Sequence, residues 1–331
     1  MRVIIVGLGS MGKRRLRLIQ QLGKNIEIVG VDSNETRSAE VEQQYKIQCK
    51  KSISEALQTG EVECAFVCTS PLSHSSIIKE LLMNELNVFT EINLVSDEYE
   101  ELIKLAKERN RILFLSSTFL YRKDIQEIKS RVNGVKVNYI YHTGQYLPDW
   151  HPWENIKDFF VADKRTNGCR EIMAIELPWI ISCFGKIKDV YVKKDEGLSE
   201  LELGYCDNYL LMLEHENGNK GVIAVDIVAR KARRNLEVFS DKLQVFWDGT
   251  PNSLQQYNID TKQMEKIETY TSIDKDTRYS ENIIENAYTD EIIAFFHEVE
   301  TKKKDMKLYS FEDDLYTLSW INKIENIGER E

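Results

Sequence analysis

The sequence predicts an α/β domain built on a doubly wound parallel sheet, followed by an α+β domain with a predominantly antiparallel, open sheet. Two observations lead to this prediction. Over the first third of the chain, short apolar runs alternate with helical patterns, as in a parallel sheet covered on both faces. After about residue 117, apolar and polar residues alternate and turn signals separate the runs, which indicates antiparallel strands. We therefore divide the chain into domains at residues 1–118 and 119–331.

The strands of the first domain are short and rich in β-branched residues. Its helices show apolar residues on one face, such as Leu16 and Ile19 in the first of them. In chain order the predicted elements are strand 3–6, helix 11–22, strand 26–31, helix 53–57, strand 65–68, helix 73–83, strand 87–90, helix 97–108 and strand 112–115.

The second domain combines two-residue alternation with long helical segments. Turn signals at 216–218 and 248–249 mark the ends of strands. The predicted strands are 135–141, 205–214, 221–228 and 236–239, and the predicted helices are 171–184, 283–299 and 313–327. The last helix is free to pack back on the first domain.

Composition limits the classes of partner. The formal net charge of -10 disfavours nucleic acid, because an acidic surface repels a phosphate backbone. We find no signal peptide and no apolar run long enough to cross a bilayer, so we expect a cytoplasmic protein without a membrane partner. The six cysteines are scattered, and no His, Cys, Asp or Glu group has metal-ligand spacing, so we expect reduced thiols and no metal.

A glycine motif joins the first strand to the first helix. It consists of Gly7, Gly9 and Gly12, with Ser10 and Met11 between the last two. The first glycine permits a tight turn, the second lets a pyrophosphate approach the backbone, and the third lets helix and strand pack closely. The helix N-terminus adds N–H donors for phosphate. This context predicts a Rossmann-type dinucleotide site, with these five residues in contact with the cofactor.

Asp32 decides which dinucleotide we expect. It lies twenty residues after Gly12, at the end of the second predicted strand. A carboxylate there accepts hydrogen bonds from the adenine ribose and repels a 2′-phosphate, so NAD is favoured over NADP. Arg37 lies close enough to contact the adenine or a phosphate. The basic run 13–15 after the glycine turn serves local charge balance or a cofactor phosphate.

Three further segments carry a resemblance to a known family. They are Thr69-Ser70-Pro71 with His74 after the strand 65–68, Glu91-Ile92-Asn93 after the strand 87–90, and G-Q-Y-L-P-D-W-H-P-W at 144–153. Together they resemble the glucose–fructose oxidoreductase / inositol dehydrogenase (Gfo/Idh/MocA) family over essentially the whole chain. The third segment is similar to members that act on sugars of surface polysaccharides.

The resemblance implies roles for these residues. Thr69, Ser70, Pro71, His74 and Glu91 would contact the cofactor, and Asn93 would contact the substrate. Two positions depart from the family pattern. Ile92 stands where the family has a lysine that contacts cofactor and substrate, and Ile175 stands where it has the histidine that transfers the proton. Glu171, four residues before Ile175, occupies the position of the family's acidic residue.

Another group must therefore transfer the proton, or the chemistry must differ. Our candidates are Glu171, His151 and Tyr121. Arg170 and Glu176 flank Glu171 in an apolar helix, and we expect either a substrate pocket there or an internal salt bridge that braces the fold. Trp150 and Trp153 would stack on a sugar face, or they pack as ordinary core or interface aromatics.

These residues predict an NAD-dependent oxidoreductase that acts on the CH–OH group of a sugar, sugar acid or nucleotide-linked sugar. One alternative is an enzyme that retains NAD within each turnover, such as an epimerase, lyase or glycosidase. Another is a redox-inactive nucleotide-binding scaffold. The resemblance also implies a homo-oligomer, a dimer or a tetramer, formed through the free face of the second sheet.

Overall fold

The computed structural model describes residues 1–23, 25–150, 152, 155–276 and 283–327. The chain forms two compact units. Unit 1 comprises Met1–Thr118 and Tyr288–Leu315, and unit 2 comprises Phe119–Ala287 and Tyr316–Glu331. The first unit thus includes residues 288–315, which the sequence analysis assigns to the second domain. That segment is far away along the chain, so no local pattern marks where it packs.

Unit 1 is built on a parallel sheet, which confirms the predicted fold class. Within the described residues the sheet has six strands in the order β3-β2-β1-β4-β5-β6. This is the doubly wound order, in which the chain changes direction between β1 and β4. The strands are β1 (Arg2–Val6), β2 (Glu27–Val31), β3 (Gln48–Lys50), β4 (Cys64–Val67), β5 (Asn87–Thr90) and β6 (Leu113–Leu115).

Helices cover both faces of this sheet. One of them was absent from the sequence prediction: the second, whose only buried residue is Val41, so that no apolar stripe announces it. Asn34 caps the start of this helix, because its side chain accepts a hydrogen bond from the Arg37 N–H at 3.0 Å. The helices that begin in residues 1–118 are α1 (Ser10–Gln21), α2 (Glu35–Tyr45), α3 (Ile53–Leu57), α4 (His74–Met83) and α5 (Tyr99–Glu108).

Aromatic packing explains why residues 288–315 belong to unit 1. Phe66, Phe89 and Phe114 lie on three adjacent strands and form a continuous buried row. Phe295 packs against all three, with ring centroids 5.2, 5.6 and 5.6 Å away. Burying such rings is strongly favourable and edge-to-face contacts add to it. The C-terminal segment therefore completes the core of the first unit.

Unit 2 is built on a largely antiparallel open sheet, again as predicted. Its described part has eight strands in the order β14-β13-β12-β11-β7-β10-β9-β8, and β7 and β10 are parallel neighbours. The prediction lacks four of these strands, β8, β12, β13 and β14. β13 and β14 are polar, so apolar alternation could not reveal them. The strands are β7 (Asn138–Gly144), β8 (Ile187–Asp195), β9 (Asn208–His215), β10 (Lys220–Asp226), β11 (Arg233–Phe239), β12 (Gln244–Trp247), β13 (Gln255–Asn258) and β14 (Gln263–Lys266).

One face of this sheet is covered by a long helix. The remaining helices are α6 (Lys123–Val132), α7 (Gly168–Phe184), α8 (Glu285–Thr301) and α9 (Phe311–Asn326). Tyr139 of β7 stacks on Phe184 of α7 with ring centroids 4.1 Å apart, and Tyr141 packs on Trp179 at 5.3 Å. The side chains between them point to the opposite face, which we call the outer sheet face.

The outer sheet face is apolar and exposed in this chain. Its exposed apolar residues lie on four neighbouring strands and are Ile140, Tyr191, Leu210, Met212 and Val222. As for membranes, no helix of the described residues has the length and apolar character needed to span a bilayer.

Candidate functional site

The glycine turn at the carboxyl end of β1 leaves room for a ligand. Gly7 has φ +88°, and a Cβ on it would lie 2.8 Å from the backbone of Cys68. A Cβ on Gly12 would lie 1.9 Å from the Gly7 oxygen, so this glycine is required by packing. A Cβ on Gly9, in contrast, would meet nothing within 4 Å. The turn therefore combines two structural glycines with one that faces open space, as a pyrophosphate site requires.

The first turn of α1 adds to this cradle. Ser10 and Met11 open the helix, and its N-cap Gly9 provides no side-chain cap. A helix N-terminus directs backbone N–H groups and a positive dipole end toward an anion. The residues of the turn thus fit the pyrophosphate of a dinucleotide.

Strand order brings the other predicted cofactor residues to the same edge. Asp32 follows β2, Thr69 comes two residues after β4, and Glu91 directly follows β5. The carboxyl ends of parallel strands lie at one edge of a sheet, and ligands bind where the strand order reverses. The structure therefore gathers in unit 1 residues that are up to 84 positions apart in sequence, from Gly7 to Glu91.

Asp32 forms hydrogen bonds both with the backbone of the glycine turn and with Arg37. Its Oδ2 accepts hydrogen bonds from the Leu8 N–H at 2.8 Å and from Arg37 Nη1 at 3.0 Å. Its Oδ1 accepts one from the Asn34 N–H at 2.9 Å. The carboxylate that would bind ribose hydroxyls is thus paired with the cation that would meet a 2′-phosphate. The Arg37 side chain is 44% exposed, so it can turn away from Asp32.

His74 and Asn93 form a buried pair after β4 and β5. His74 Nε2 lies 2.9 Å from the Thr69 carbonyl, and His74 Nδ1 lies 2.6 Å from the Asn93 side-chain amide. Burial lowers the pKa of His74, which favours a neutral ring. The atoms that face the ring, the Thr69 carbonyl and Asn93 Oδ1, are both acceptors, so a neutral ring donates to only one of them. The pair fixes the segments after β4 and β5 against each other.

Glu91 belongs to a buried ionic cluster. Arg15 of α1, fully buried, donates from Nε to Glu91 at 2.5 Å and from Nη2 to Glu291 of α8 at 2.7 Å. Glu291 also accepts the Ser117 N–H at 2.7 Å. Burial raises the pKa of Glu291 above its usual value, although Arg15 opposes that shift. The contacts of Glu91 are therefore structural, and those of Arg15 fit the local charge balance expected for residues 13–15.

Arg170 is engaged within unit 2. Its guanidinium pairs with Glu325 of α9 and donates from Nη2 to Asn322 Oδ1 at 2.7 Å. Asn167, which caps α7, donates to the same Glu325 at 2.8 Å. These bonds fasten the start of α7 to α9, as in the salt-bridge alternative of the sequence analysis.

Glu176 lies one and a half turns further along α7 and faces the sheet. It accepts hydrogen bonds from Tyr141 Oη at 2.7 Å, Trp179 Nε1 at 2.6 Å and Arg234 Nε at 2.8 Å. Thr143 Oγ1 also donates to it at 3.4 Å, and a buried carboxylate with four donors is satisfied in place. Arg170, Glu171 and Glu176 therefore do not converge on one pocket, and the first and last of them join elements of unit 2.

Glu171 has a different environment. Its Oε2 is buried and has no hydrogen-bond partner among the described residues. Burial raises the pKa of Glu171 to about 8. Glu171 and Ile175 lie on the less buried face of α7, as their four-residue spacing predicts. A carboxyl group with this pKa holds a proton at neutral pH, which an exposed glutamate does not.

The remaining predicted residues are spread over the chain. Tyr121 is buried in the short helical turn at 118–121, Pro71 is buried and Ser70 is exposed. Trp150 is partly exposed and donates from Nε1 to the Gln145 carbonyl at 3.2 Å. His151 and Trp153 lie outside the described residues. In the described ranges no group of three or more His, Cys, Asp or Glu side chains is arranged to hold a metal ion.

Sequence reasoning missed the ionic partners of these residues. Glu291 lies 276 positions from Arg15, and Arg234 lies 58 positions from Glu176. No spacing rule links residues so far apart. A charged residue within an otherwise apolar helical stripe, such as Arg15 beside Leu16, is the one sequence signal that a buried partner exists.

The N-terminal residues match a family model. The model is GFO_IDH_MocA, described as an oxidoreductase family with an NAD-binding Rossmann fold, and it matches residues 1–117. Over these residues, about a third of the chain, the sequence is similar to the Gfo/Idh/MocA family. The match bears out the resemblance for this part of the chain and the Rossmann fold class predicted for it.

Known proteins extend this similarity. Biliverdin reductase A from Mus musculus is 25% identical over 190 residues, 56% of this chain, and the match spans only 58% of that relative's length. Two solved structures share the fold. UDP-N-acetylglucosamine 3-dehydrogenase GnnA from Acidithiobacillus ferrooxidans has a TM-score of 0.75 at 15% identity, covering 98% of this chain and 96% of its own. Biliverdin reductase from Synechocystis sp. PCC 6803, in complex with biliverdin and NADP+, has a TM-score of 0.69 at 16% identity, covering 98% and 97%.

Proposed function

We propose that the protein is an NAD-dependent oxidoreductase that acts on the CH–OH group, or the corresponding carbonyl, of a sugar, sugar acid or nucleotide-linked sugar. The open space at Gly9, in a family-matched glycine turn, is the observation on which the proposal depends. The fold shared with a nucleotide-sugar dehydrogenase supports the substrate class. We place the activity in the cytoplasm, and the six free cysteines are consistent with a reducing environment.

Asp32 supports NAD over NADP. Its carboxylate lies at the end of β2, where it would accept hydrogen bonds from the ribose hydroxyls and repel a 2′-phosphate. Arg37 would weaken this preference if it left Asp32 for the phosphate. We therefore expect tighter binding of NADH than NADPH, and we expect Arg37→Ala to widen the difference.

Glu171 is the proton-transfer residue that we favour. A bound nicotinamide would supply or accept the hydride. The Glu171 carboxyl would donate a proton to the developing alkoxide in reduction, and as carboxylate would accept it in oxidation. Its pKa of about 8 suits both roles near neutral pH. The side chains of Ile92 and Ile175 can neither donate nor accept a proton. His151 and Tyr121 are the other proposed donors, and Asn93, Trp150 and Trp153 are proposed substrate contacts.

The outer sheet face supports a homo-oligomer, either a dimer or a tetramer. Its exposed apolar side chains form a surface that an isolated chain would leave in contact with water. A second copy of the chain would cover it.

The test of the proposed function is a Gly9→Ala variant. The Cβ meets nothing within 4 Å and φ at Gly9 is -68°, so the variant should fold and unfold like wild type. The methyl group would occupy the space of the pyrophosphate, so NADH affinity should fall by about tenfold or more, the scale of one lost charge-assisted contact. Calorimetric titration of NAD, NADH and NADPH measures this. Gly197→Ala, in unit 2, is the matched control.

The results separate the proposed function from its alternatives. Equal NADH affinity in wild type and Gly9→Ala, or no dinucleotide binding by wild type, would contradict it. Wild type that binds NADH should next be assayed with UDP-N-acetylglucosamine, myo-inositol, glucuronic acid and biliverdin. Turnover without net NADH formation would indicate an enzyme that retains NAD in each cycle. Reduction of biliverdin alone would overturn the sugar assignment and leave the oxidoreductase assignment standing.

A further inference from the structure

A cluster of cations lies in the turn between β10 and β11. Residues 229–234 read A-R-K-A-R-R in a chain whose net charge is -10. Arg234 is paired with Glu176. Arg230, Lys231 and Arg233 are exposed, and none of them forms an ion pair with a carboxylate of the described residues. We call these three the cationic turn.

The structure holds the cationic turn in a defined position. The Arg230 guanidinium carbon lies 3.9 Å from the centroid of the Tyr146 ring, so the plane of the guanidinium is supported by an aromatic face. The Tyr146 N–H donates to the Ala229 carbonyl at 2.7 Å. Asp226 Oδ1 accepts from the N–H groups of Val228 and Ala229 at 3.0 and 2.7 Å. The turn is thus tied to the end of β10 and to the segment after β7.

Neighbouring carboxylates offset this charge only in part. Asp226 ends β10 and binds His142 Nε2 at 2.6 Å in addition to the two N–H groups. Asp248 follows β12, and its Oδ1 accepts from the N–H and Oγ1 of Thr250 at 2.9 and 2.6 Å. Asp248 is close enough to Lys231 for the lysine to help lower the aspartate's pKa, but the two form no direct ion pair. The N–H groups of Arg230 are therefore the donors most open to a ligand, with Lys231 beside them.

The cationic turn lies at the end of unit 2 where α7 begins. A Cβ on Gly168, the first residue of α7, would lie 3.1 Å from Ile227 and 3.2 Å from Leu147. Ile227 immediately precedes the turn, and Leu147 immediately follows Tyr146. Glu171 is one helical turn from Gly168. The proposed proton donor and the cations are therefore at the same end of the sheet of unit 2.

We propose that the cationic turn binds an acidic group of the substrate, a diphosphate or a carboxylate remote from the carbon that is oxidised. This inference rests on the proposed function, because it narrows its substrate to molecules with a charged group. A guanidinium stacked on a ring keeps its N–H edges free for bidentate contact with either oxyanion. Neutral sugars offer these cations only uncharged hydroxyl acceptors, which bind them more weakly than an oxyanion does.

The test compares charged and neutral ligands on a variant of the turn. The double substitution Arg230→Gln and Lys231→Gln removes two exposed charges, so it should not disturb folding. Calorimetry on the full chain would use UDP-N-acetylglucosamine, glucuronic acid and neutral N-acetylglucosamine, each with and without NADH. The control is Lys220→Gln together with Lys193→Gln, which removes two exposed cations from other positions of the same sheet. Arg230→Lys tests whether the planar fork matters.

We expect at least one charged ligand to bind wild type about 10- to 100-fold more tightly than the double variant, which is the worth of one or two charge-assisted bonds. The control should bind it like wild type. Loss confined to UDP-N-acetylglucosamine identifies the diphosphate as the ligand, and loss confined to glucuronic acid identifies the carboxylate. Equal affinity of wild type and double variant for every charged ligand, or preference for the neutral sugar, overturns the proposal. NADH binding is measured separately. If wild type does not bind NADH, the proposed function is wrong; if a charged ligand still binds wild type more tightly than the double variant, the proposal for the cationic turn is supported all the same.

Discussion

At the scale of single residues, two buried glutamates and the half-buried Glu171 show how partners decide the state of a carboxyl group. Glu176 has four donors and Glu291 has an arginine, so each is held within a network. Glu171 Oε2 has no partner among the described residues, and burial alone raises the pKa of this glutamate to about 8. Burying such a carboxyl group lowers the stability of the folded state at pH values where the unfolded glutamate is ionised. The same raised pKa suits the group to proton transfer near neutral pH.

The raised pKa of Glu171 predicts a pH dependence of stability. The folded state holds this proton up to about pH 8, whereas an unfolded glutamate loses it near the ordinary pKa of 4.5. Between these values the folded state binds more protons, so the free energy of unfolding should fall as pH rises, by up to about 1.4 kcal/mol per pH unit. Glu171→Gln cannot ionise and should lack this contribution. Urea unfolding at pH 5, 6, 7 and 8 measures the difference between the two proteins.

The control for this prediction is Glu196→Gln, because Glu196 is exposed. The gap between Glu171→Gln and wild type should widen in favour of the variant as pH rises, while Glu196→Gln should follow wild type throughout. A constant gap would show that Glu171 ionises normally. If Glu171 also transfers the proton, the variant should lose about 10²- to 10⁴-fold in turnover while NADH affinity is unchanged.

At the scale of elements, the ionic cluster of Arg15 joins three parts of unit 1. Arg15 belongs to α1, Glu91 follows β5 and Glu291 belongs to α8. Replacing Arg15 by Met would leave two carboxylates buried without their cation. Such a change typically destabilises a protein by about 3 to 5 kcal/mol. We expect Arg15→Met to lower the urea midpoint of unit 1 and to expose α8 to proteolysis.

Two further variants make this prediction specific. Adding Glu291→Gln to Arg15→Met should recover part of the loss, because one of the stranded charges is removed. Arg109→Met breaks an exposed pair with Glu85, which is worth about 0 to 1 kcal/mol, and should leave the midpoint almost unchanged. Equal effects of Arg15→Met and Arg109→Met would mean that the buried cluster contributes no more than a surface pair.

At the scale of the whole molecule, the outer sheet face predicts association. We expect the wild-type chain to be a dimer or a tetramer in light scattering coupled to size-exclusion chromatography. Met212→Glu places a charge in the middle of that face, where burial in an interface would be costly, and should shift the chain to monomers. The Met212 side chain is 59% exposed, so the monomer itself should stay folded and bind NADH.

Met83→Glu is the matched control, since Met83 is 57% exposed but lies on α4 of unit 1. This variant should elute like wild type. A wild-type chain that is monomeric at micromolar concentration would contradict the oligomer and leave the apolar face unexplained. An oligomer that survives Met212→Glu and dissociates with Met83→Glu would place the interface elsewhere.

Local patterns were sufficient for much of this protein. Alternating strands and helices, the glycine turn and Asp32 predict the doubly wound sheet and the edge where a dinucleotide would bind. Two-residue alternation predicts the second sheet but misses four of its strands, and the prediction also lacks β3, α2 and α6. For the polar strands β13 and β14 and for α2, which buries one residue, the reason is that the element is held by its neighbours in space and not by its own apolar pattern.

The sequence by itself thus determined the fold class, the glycine turn of the proposed cofactor site and the positions that depart from the family, because these depend on periodicity and on short motifs. Only the tertiary structure decided which charges are structural. It pairs Arg170 with Glu325, Glu176 with Arg234 and Glu91 with Arg15, and it leaves Glu171 and the cationic turn without ionic partners among the described residues. The physical reason is that the state of a charged side chain depends on burial and on partners that are distant in sequence, and neither is written in the local pattern.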